Sequence, residues 1–299
     1  MDGFLNVYKP LGITSSDAVL MVRKLLPRGT RVGHGGTLDP EAEGVLPVCI
    51  GKAARLFDYI IDKQKTYIAE LKLGITTDTQ DAVGNVIRTG DASGITKEMV
   101  EAVLPRFIGD IKQVPPMYSA LKRDGKKLYE LARKGEEVEL EARDVHIHDI
   151  SFSEMQGDVC RLKVDCGKGV YIRTPCNDIG EALGCGGHMQ SLKRSRAGVF
   201  DEADALTPDE IRAAAADGTL AEKLLPLDAP LSQFPLVELD GECTHAVKNG
   251  NPVPAEKVHT DREPGAVVRV YLEGRFAGMG EITEDGGLRF RAMLMNFEA

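Results

Sequence analysis

The 299-residue chain contains no run of 18 apolar residues, which excludes a candidate transmembrane helix. Asp2 comes early and no continuous apolar core precedes Lys9, which argues against a secretory leader and for a cytoplasmic location. Six cysteines (Cys49, Cys160, Cys166, Cys176, Cys185 and Cys243) form no Cys-x-x-Cys pair, so reduced and mostly buried thiols are expected. Cys185-Gly-Gly-His188, with Cys166 and Cys176 upstream, matches no structural zinc spacing, and no metal is expected. There is no internal repeat and no low-complexity tract. Positive charge is in short supply, with 37 Lys and Arg against 46 Asp and Glu, a net charge of −9. Whole-chain charge counts against a nucleic-acid partner, but binding follows local patches. Between Lys112 and Lys134, seven cations (Lys112, Lys122, Arg123, Lys126, Lys127, Arg133 and Lys134) face only Asp124 and Glu130, a local balance of about +5. Lys193, Arg194 and Arg196 add a second cluster, and two clusters flanking one site favour RNA. At 42% hydrophobic and 28% charged, the composition is that of an ordinary globular protein.

The most informative segment is Gly33-His34-Gly35-Gly36-Thr37-Leu38-Asp39-Pro40-Glu41-Ala42-Glu43-Gly44-Val45-Leu46. Its glycines allow close backbone approach and φ > 0, while Pro40 biases Asp39 toward an extended backbone. The apolar run Val45 to Ile50 anchors the loop in the core and leaves one carboxylate at the lip of a rigid scaffold. No Gly-Lys-Ser/Thr follows at P-loop spacing, and no G-x-G-x-x-G loop opens a helix. On spacing alone, a turn and a functional site are equally good readings.

Ser15 or Ser16 can cap a helix reaching Leu26, and Ala53 to Ile61 is helix-like. Lys65 to Leu73 alternates with Tyr67, Ala69, Leu71 and Leu73 on one side, as a half-buried strand does. A polar, turn-rich stretch follows from Thr76 to Gly84, and Thr96 opens a helix to about Phe107. Strands are expected at Val145–Phe152 and Val159–Cys166. Thr174 as N-cap with Pro175 at the first helical position starts a helix ending near Gly184, and Thr207-Pro208-Asp209-Glu210 opens another ending at Gly218. The elements lack a strict βαβ rhythm, so the fold class is α+β with a mixed, largely antiparallel sheet flanked by helices. Prolines at 226, 230 and 235 mark a boundary that places one domain at 1–230 and a second at 231–299. Closely spaced hairpins at Val267–Leu272, Phe276–Ile282 and Leu288–Leu294 suggest a small β-barrel there.

Gly33 through Leu46 resembles the catalytic motif of the TruB-type tRNA pseudouridine synthases, in which the aspartate is the essential nucleophile. Cys166-Gly-Lys-Gly-Val-Tyr-Ile-Arg173 is similar to the family's Cys-Ser-Lys-Gly-Thr-Tyr-Ile-Arg, departing at Gly167 and Val170. Motifs in family order cover about the first 200 residues, and the tail more loosely resembles the family's PUA-type RNA-binding barrel. The resemblance implies a pseudouridine synthase fold and isomerisation of uridine 55 in the T-loop of tRNA, by an aspartate-dependent, base-flipping mechanism without cofactor or metal, in a monomer. It implies Asp39 as the catalytic residue, Arg173 as its partner, Tyr67 stacking on the target base and helping to remove the C5 proton, and Leu192 closing the pocket. His34 would help to flip the base, Asp78 would line the RNA site, and Lys9 would brace the pocket. The segment from Pro115 to Gly135 looks like the family's thumb (an arm spanning about 112–135), with Lys122, Arg123, Lys126 and Lys127 meeting RNA phosphates. Two alternatives fit the same residues: a tRNA-binding or folding factor with a vestigial site, and a family member with another RNA target.

Overall fold

The computed structural model describes residues 1–61, 64–116, 122–123, 126–127 and 140–296. One sheet organises the larger part of the chain. Strand β1 (Gly3–Lys9) pairs antiparallel with β3 (Ala42–Ile50), and β2 (Val32–His34) pairs with the far half of β3, Val32 opposite Ile50 and His34 opposite Val48. Beside the near half of β3 lies β12 (Gly187–Ala197), in parallel at Leu192–Arg194. Next to β12 come β4 (Lys65–Leu73), β11 (Val159–Cys166), β10 (Arg143–Gln156) and β7 (Gly109–Gln113), all antiparallel to their neighbours. Two hairpins, β5 (Ile75–Thr77) with β6 (Val86–Thr89) and β8 (Lys122–Arg123) with β9 (Lys126–Lys127), stand off this sheet, and β13 (Phe200–Asp201) folds back on β12. The arrangement is the mixed, largely antiparallel α+β class read from the sequence.

Strand β3 is buried along nearly its whole length because both faces are covered. Leu46, Val48 and Ile50 pack against Val19, Val22 and Leu26 of the helix α1 (Ser15–Lys24) and the turn after it. Val45 and Cys49 face Leu56 and Ile60, in a 3-10 turn (Gly51–Leu56) and the short α2 (Phe57–Ile61). A strand covered on both sides reads as a continuous apolar run, as β3 does. Strand β4 alternates instead, with Tyr67, Ala69, Leu71 and Leu73 buried in the main core. Helix α3 (Lys97–Val103), capped by Thr96 and continued by a 3-10 turn to Phe107, packs there through Val100.

Two helix starts differ from the sequence reading. Thr14, not Ser15 or Ser16, caps α1, in a capping box with Asp17. Ser15 is engaged elsewhere: its hydroxyl bonds the backbone of Leu38 in both directions, accepting from the N–H at 2.8 Å and donating to the carbonyl at 2.9 Å. Helix α4 (Arg173–Ala182) begins at Arg173, so Thr174 and Pro175 lie inside its first turn, where the missing proline N–H costs nothing. Helix α5 (Pro208–Ala216) has the expected capping box between Thr207 and Glu210.

The C-terminal unit is a four-stranded sheet: β14 (Leu236–Leu239) parallel to β15 (Val267–Leu272), then β16 (Arg275–Ile282) and β17 (Leu288–Met293) antiparallel. The short α6 (Thr244–Lys248) covers its core through Val247. Glu273 and Gly274, at φ 50° and 73°, make the tight turn between β15 and β16. Met279, Ala292 and Leu294 pack with Phe4, Cys49 and Leu56 of the larger unit. Lys52 and Arg55 donate to the carbonyls of Leu294 and Met293 at 2.5 and 2.6 Å, clamping the two units together.

Candidate active site

The loop from Gly35 to Glu41 arches from β2 back into β3 and carries Asp39. Backbone bonds hold it at both ends: Gly35 N–H to Pro47 O (2.7 Å), Gly12 N–H to Pro40 O (2.8 Å) and Ala42 N–H to Asp39 O (3.1 Å). The Ser15–Leu38 pair holds its middle. Two glycines are required by geometry. Gly36 lies at φ +121°, and Gly44 at φ +105°, where a Cβ would stand 2.3 Å from the Arg194 carbonyl oxygen.

Beneath the loop lies Arg194, 1% exposed, the largest fully buried side chain described. Its guanidinium donates to Val45 O (2.7 Å), Gly36 O (3.2 Å) and Thr37 O (3.3 Å), filling the loop with a cation. Its charge beside Tyr67 partly offsets the burial that raises the phenol above its usual range. Tyr67 is therefore held protonated.

Asp39 meets Arg173 at 3.3 Å (Oδ2 to Nη2). The other guanidinium arm reaches Asp81 Oδ2 at 3.2 Å. Arg173 is almost completely buried at the first turn of α4, whereas the Asp39 side chain is 43% exposed and faces the cavity. A buried cation is tolerable only when paired, and here it is shared between the loop carboxylate and a second, buried one. Asp81 is fixed in turn by Thr79, whose hydroxyl donates to its Oδ1 at 2.5 Å.

These groups border a cavity of about 540 Å³ between the Asp39 loop, β4, β12 and the Gly167–Arg173 segment, a volume within the range of small-ligand sites. Tyr67, Leu192, Met189, Val170 and Ile172 supply its apolar walls. Among the described residues, Lys65, Arg143, Lys168, Arg173 and Arg194 line it against Asp39 and Asp144, a local excess of cations in an acidic chain.

The structure thus brings Asp39, Tyr67, Arg173 and Leu192 to one cavity and places the other candidates around it. Lys9 is fully buried, its ammonium donating to Pro10 O (2.9 Å) and Ile13 O (2.8 Å), and burial pulls its pKa down to about 8. His34 sits in β2, outside the cavity lining. Its Nδ1 is buried without a hydrogen-bond partner among the described residues, and burial and the Arg194 charge lower its pKa, favouring the neutral ring. Asp78 closes a turn, accepting from Asn85 N–H (2.8 Å) and Nδ2 (3.0 Å), so Asp81 rather than Asp78 reaches Arg173. For Lys122, Arg123, Lys126 and Lys127 the pairing of β8 with β9 is described, while their side chains and most of the segment 112–135 lie outside the described residues.

The cations of the second basic cluster are engaged within the fold. Lys193 pairs with Glu202 at 2.9 Å, Arg194 is buried on carbonyls, and Arg196 bonds Thr66 Oγ1 at 3.3 Å beside Asp165. Asp81 and Arg194 were missed as site residues. The turn Thr76–Gly84 carries two aspartates, which sequence cannot rank. For Arg194 a signal existed: strand alternation from Leu192 points it at the same face. Among the described residues, no group of three or more His, Cys, Asp or Glu side chains could hold a metal ion.

Residues 23–172 match the TruB family pseudouridylate synthase (N terminal domain), 173–232 the tRNA pseudouridylate synthase B C-terminal domain, and 235–294 the pseudouridine synthase II TruB C-terminal domain. The chain is 44% identical over 298 residues to tRNA pseudouridine synthase B of Pseudomonas fluorescens, covering 98% of this chain and 96% of the relative. The corresponding Clostridium tetani protein is 41% identical over 286 residues, covering 96% and 97%. Among solved structures, one described as a Cbf5-Nop10-Gar1 complex has a chain 27% identical with a TM-score of 0.73, covering 95% of this chain and 79% of that one. A family match that continues through all three segments, together with full-length relatives above 40% identity, places this chain in the TruB family of pseudouridine synthases.

Proposed function

We propose that the chain is a tRNA pseudouridine synthase that isomerises uridine 55 of the T-loop, with Asp39 as the catalytic carboxylate. The pairing of Asp39 with a buried arginine at the mouth of a cation-lined, aromatic-walled cavity carries this reading. The reaction breaks the N1–C1′ bond, turns the base over and forms a C5–C1′ bond, with C5 releasing a proton and N1 taking one up. A base in the RNA stack cannot be reached, so the uridine must be flipped into a closed pocket. Asp39, partly exposed and oriented by Arg173, acts on the sugar or base. Tyr67, kept protonated by burial, suits stacking on the uracil better than abstracting a proton as a phenolate. Leu192 closes the pocket, His34 and Asp78 support the RNA loop around it, and Lys9 braces the Asp39 loop from below. Residues 1–230 form the catalytic domain, with Lys122, Arg123, Lys126 and Lys127 of its 112–135 arm on RNA phosphates. Residues 231–299 form a PUA-like RNA-binding domain, and the protein works in the cytoplasm as a monomer, without cofactor or metal.

The test is release of tritium from C5 of uridine in a tRNA transcript, beside Asp39→Asn. Wild type should release one equivalent per tRNA, and Asp39→Asn none while still binding tRNA. Tight binding by wild type without release would leave a tRNA-binding factor as the correct reading.

A further inference from the structure

Residues 18–38 form the longest stretch of this chain without Asp or Glu, and it carries Arg23, Lys24, Arg28 and Arg31. Arg23 is occupied in holding α1 to β2, donating to Val32 O at 2.9 Å. Lys24, Arg28 and Arg31 are exposed, and no carboxylate lies within 4.0 Å of them among the described residues. A cation in the last helical turn can be explained by the helix dipole, which accounts for Lys24. Arg28 and Arg31 lie beyond the helix, in the turn leading to β2, and that explanation does not reach them.

We infer that Lys24, Arg28 and Arg31 form a phosphate-binding strip for the helical stem that leads away from the loop carrying the target uridine. This rests on the function proposed above and adds a second contact region to it. Arg31 O accepts from Gly51 N–H at 2.8 Å, which fixes Arg31 beside the far end of β3, while the Asp39 loop joins the near end at Ala42. The eight steps from Ala42 to Ile50 span about 27 Å at roughly 3.3–3.4 Å per residue. A duplex strand advances roughly 3.4 Å of axis per nucleotide in the B form and less in the A form, so a stem laid along β3 would meet the strip at least about eight nucleotides from the flipped base. That distance is beyond a small loop and falls on duplex. Strands β7 and β10, which flank the basic 112–135 stretch in the sequence, lie at the opposite edge of the sheet.

The test compares wild type with the triple variant Lys24→Gln/Arg28→Gln/Arg31→Gln on two RNAs sharing one loop. One has a stem of about three base pairs and the other of about twelve, and Kd and single-turnover rate are measured from 50 to 200 mM salt. For the long stem, the triple variant should bind at least about tenfold more weakly at 100 mM salt, with the log Kd against log salt slope reduced by about 2 to 3. On the short stem Kd should stay within about twofold, and the saturating rate should be unchanged on both. Equal weakening on both RNAs would overturn the inference, as would unchanged salt slopes, which mark an ordinary solvated face. A lowered saturating rate with a lowered Tm would assign these side chains a structural role. Tighter retention of wild type by anionic lipid vesicles than by the long stem would name a different partner and also overturn it. If wild type binds both RNAs and makes no pseudouridine, the proposed function fails, and the Kd comparison still decides the strip.

Discussion

Replacing Arg194 with lysine should uncouple catalysis from RNA binding. In the wild type a single guanidinium donates to three carbonyls, two of them in the loop ahead of Asp39. An ammonium keeps the charge but lacks the planar fork, and reaches one or two of these oxygens. Leaving one or two buried carbonyls without a donor costs about 1–3 kcal/mol each, so a total near 2–4 kcal/mol is expected. For a chain of this size about 1 kcal/mol lowers Tm by roughly 2–4 °C, which predicts a drop of about 4–16 °C. The protein should still fold. The loop then relaxes by a fraction of an ångström to an ångström, and a misplacement of that size costs on the order of 100-fold in rate. Arg194 is 1% exposed, so tRNA affinity should stay within about twofold. Single-turnover tritium release at saturating enzyme, filter binding and thermal unfolding read the three quantities separately. A rate within about threefold of wild type alongside the expected loss of Tm would refute the positioning role. Parallel loss of affinity and rate would refute the claim that Arg194 acts only through the loop.

Asp81→Asn removes a carboxylate from the Arg173 guanidinium, and it should lower the single-turnover rate about 10- to 100-fold at unchanged tRNA affinity. An unchanged rate would mean that Asp81 is not needed to position Arg173. Burial pushes the thiols of Cys49, Cys166 and Cys176 up to about 12 and that of Cys160 to about 11. Native protein at pH 8 should therefore resist an aromatic disulfide reagent for many minutes, while all six thiols react in denaturant; rapid native labelling of these four would contradict their burial. Lys9 titrates at about 8 in the fold against about 10.5 when unfolded, so between these values the unfolded chain binds more protons and stability rises with pH. Relative to Lys9→Met, wild type should gain up to about 3 kcal/mol between pH 7.5 and 10.5 in urea titrations. A relative loss over that window would show that the buried amine is not strained by its charge.

The sequence was most legible where one physical signal dominated. Strict alternation in Lys65–Leu73 and the Thr207–Glu210 capping box identified a strand and a helix start, because local periodicity and capping are encoded within a few residues. It was less legible where a side chain had two competing uses. Ser15 is a good cap by propensity, yet it serves the Asp39 loop, and Thr14 takes the cap. Strand β14 escaped notice because four residues after a proline-rich stretch show no period, and its parallel partner lies some 30 positions away. The same limit applies to the site. Asp39 stands out in its own loop, whereas Asp81 acquires a role only through contact with Arg173, 92 positions along the chain.

A net charge of −9 and an RNA substrate are compatible because the charges are segregated, and the segregation says where affinity must come from. The C-terminal unit, residues 231–299, has 11 carboxylates against 7 cations, so it cannot act as an electrostatic clamp over its whole surface. Its contribution to RNA binding has to come from shape and a few placed groups. Several of its cations are already committed: Arg289 and Arg291 both turn to Glu281, and Arg269 bonds the carbonyl of Phe234. On the proposed function, phosphate attraction then falls to the cavity rim, the 112–135 segment and the carboxylate-free stretch after Asp17, all within residues 1–230. Such binding is strongly salt-dependent. Substitutions that neutralise these three regions should reduce the salt slope additively, whereas neutralising Arg289 and Arg291 should leave it unchanged, because their charge is already balanced within the fold.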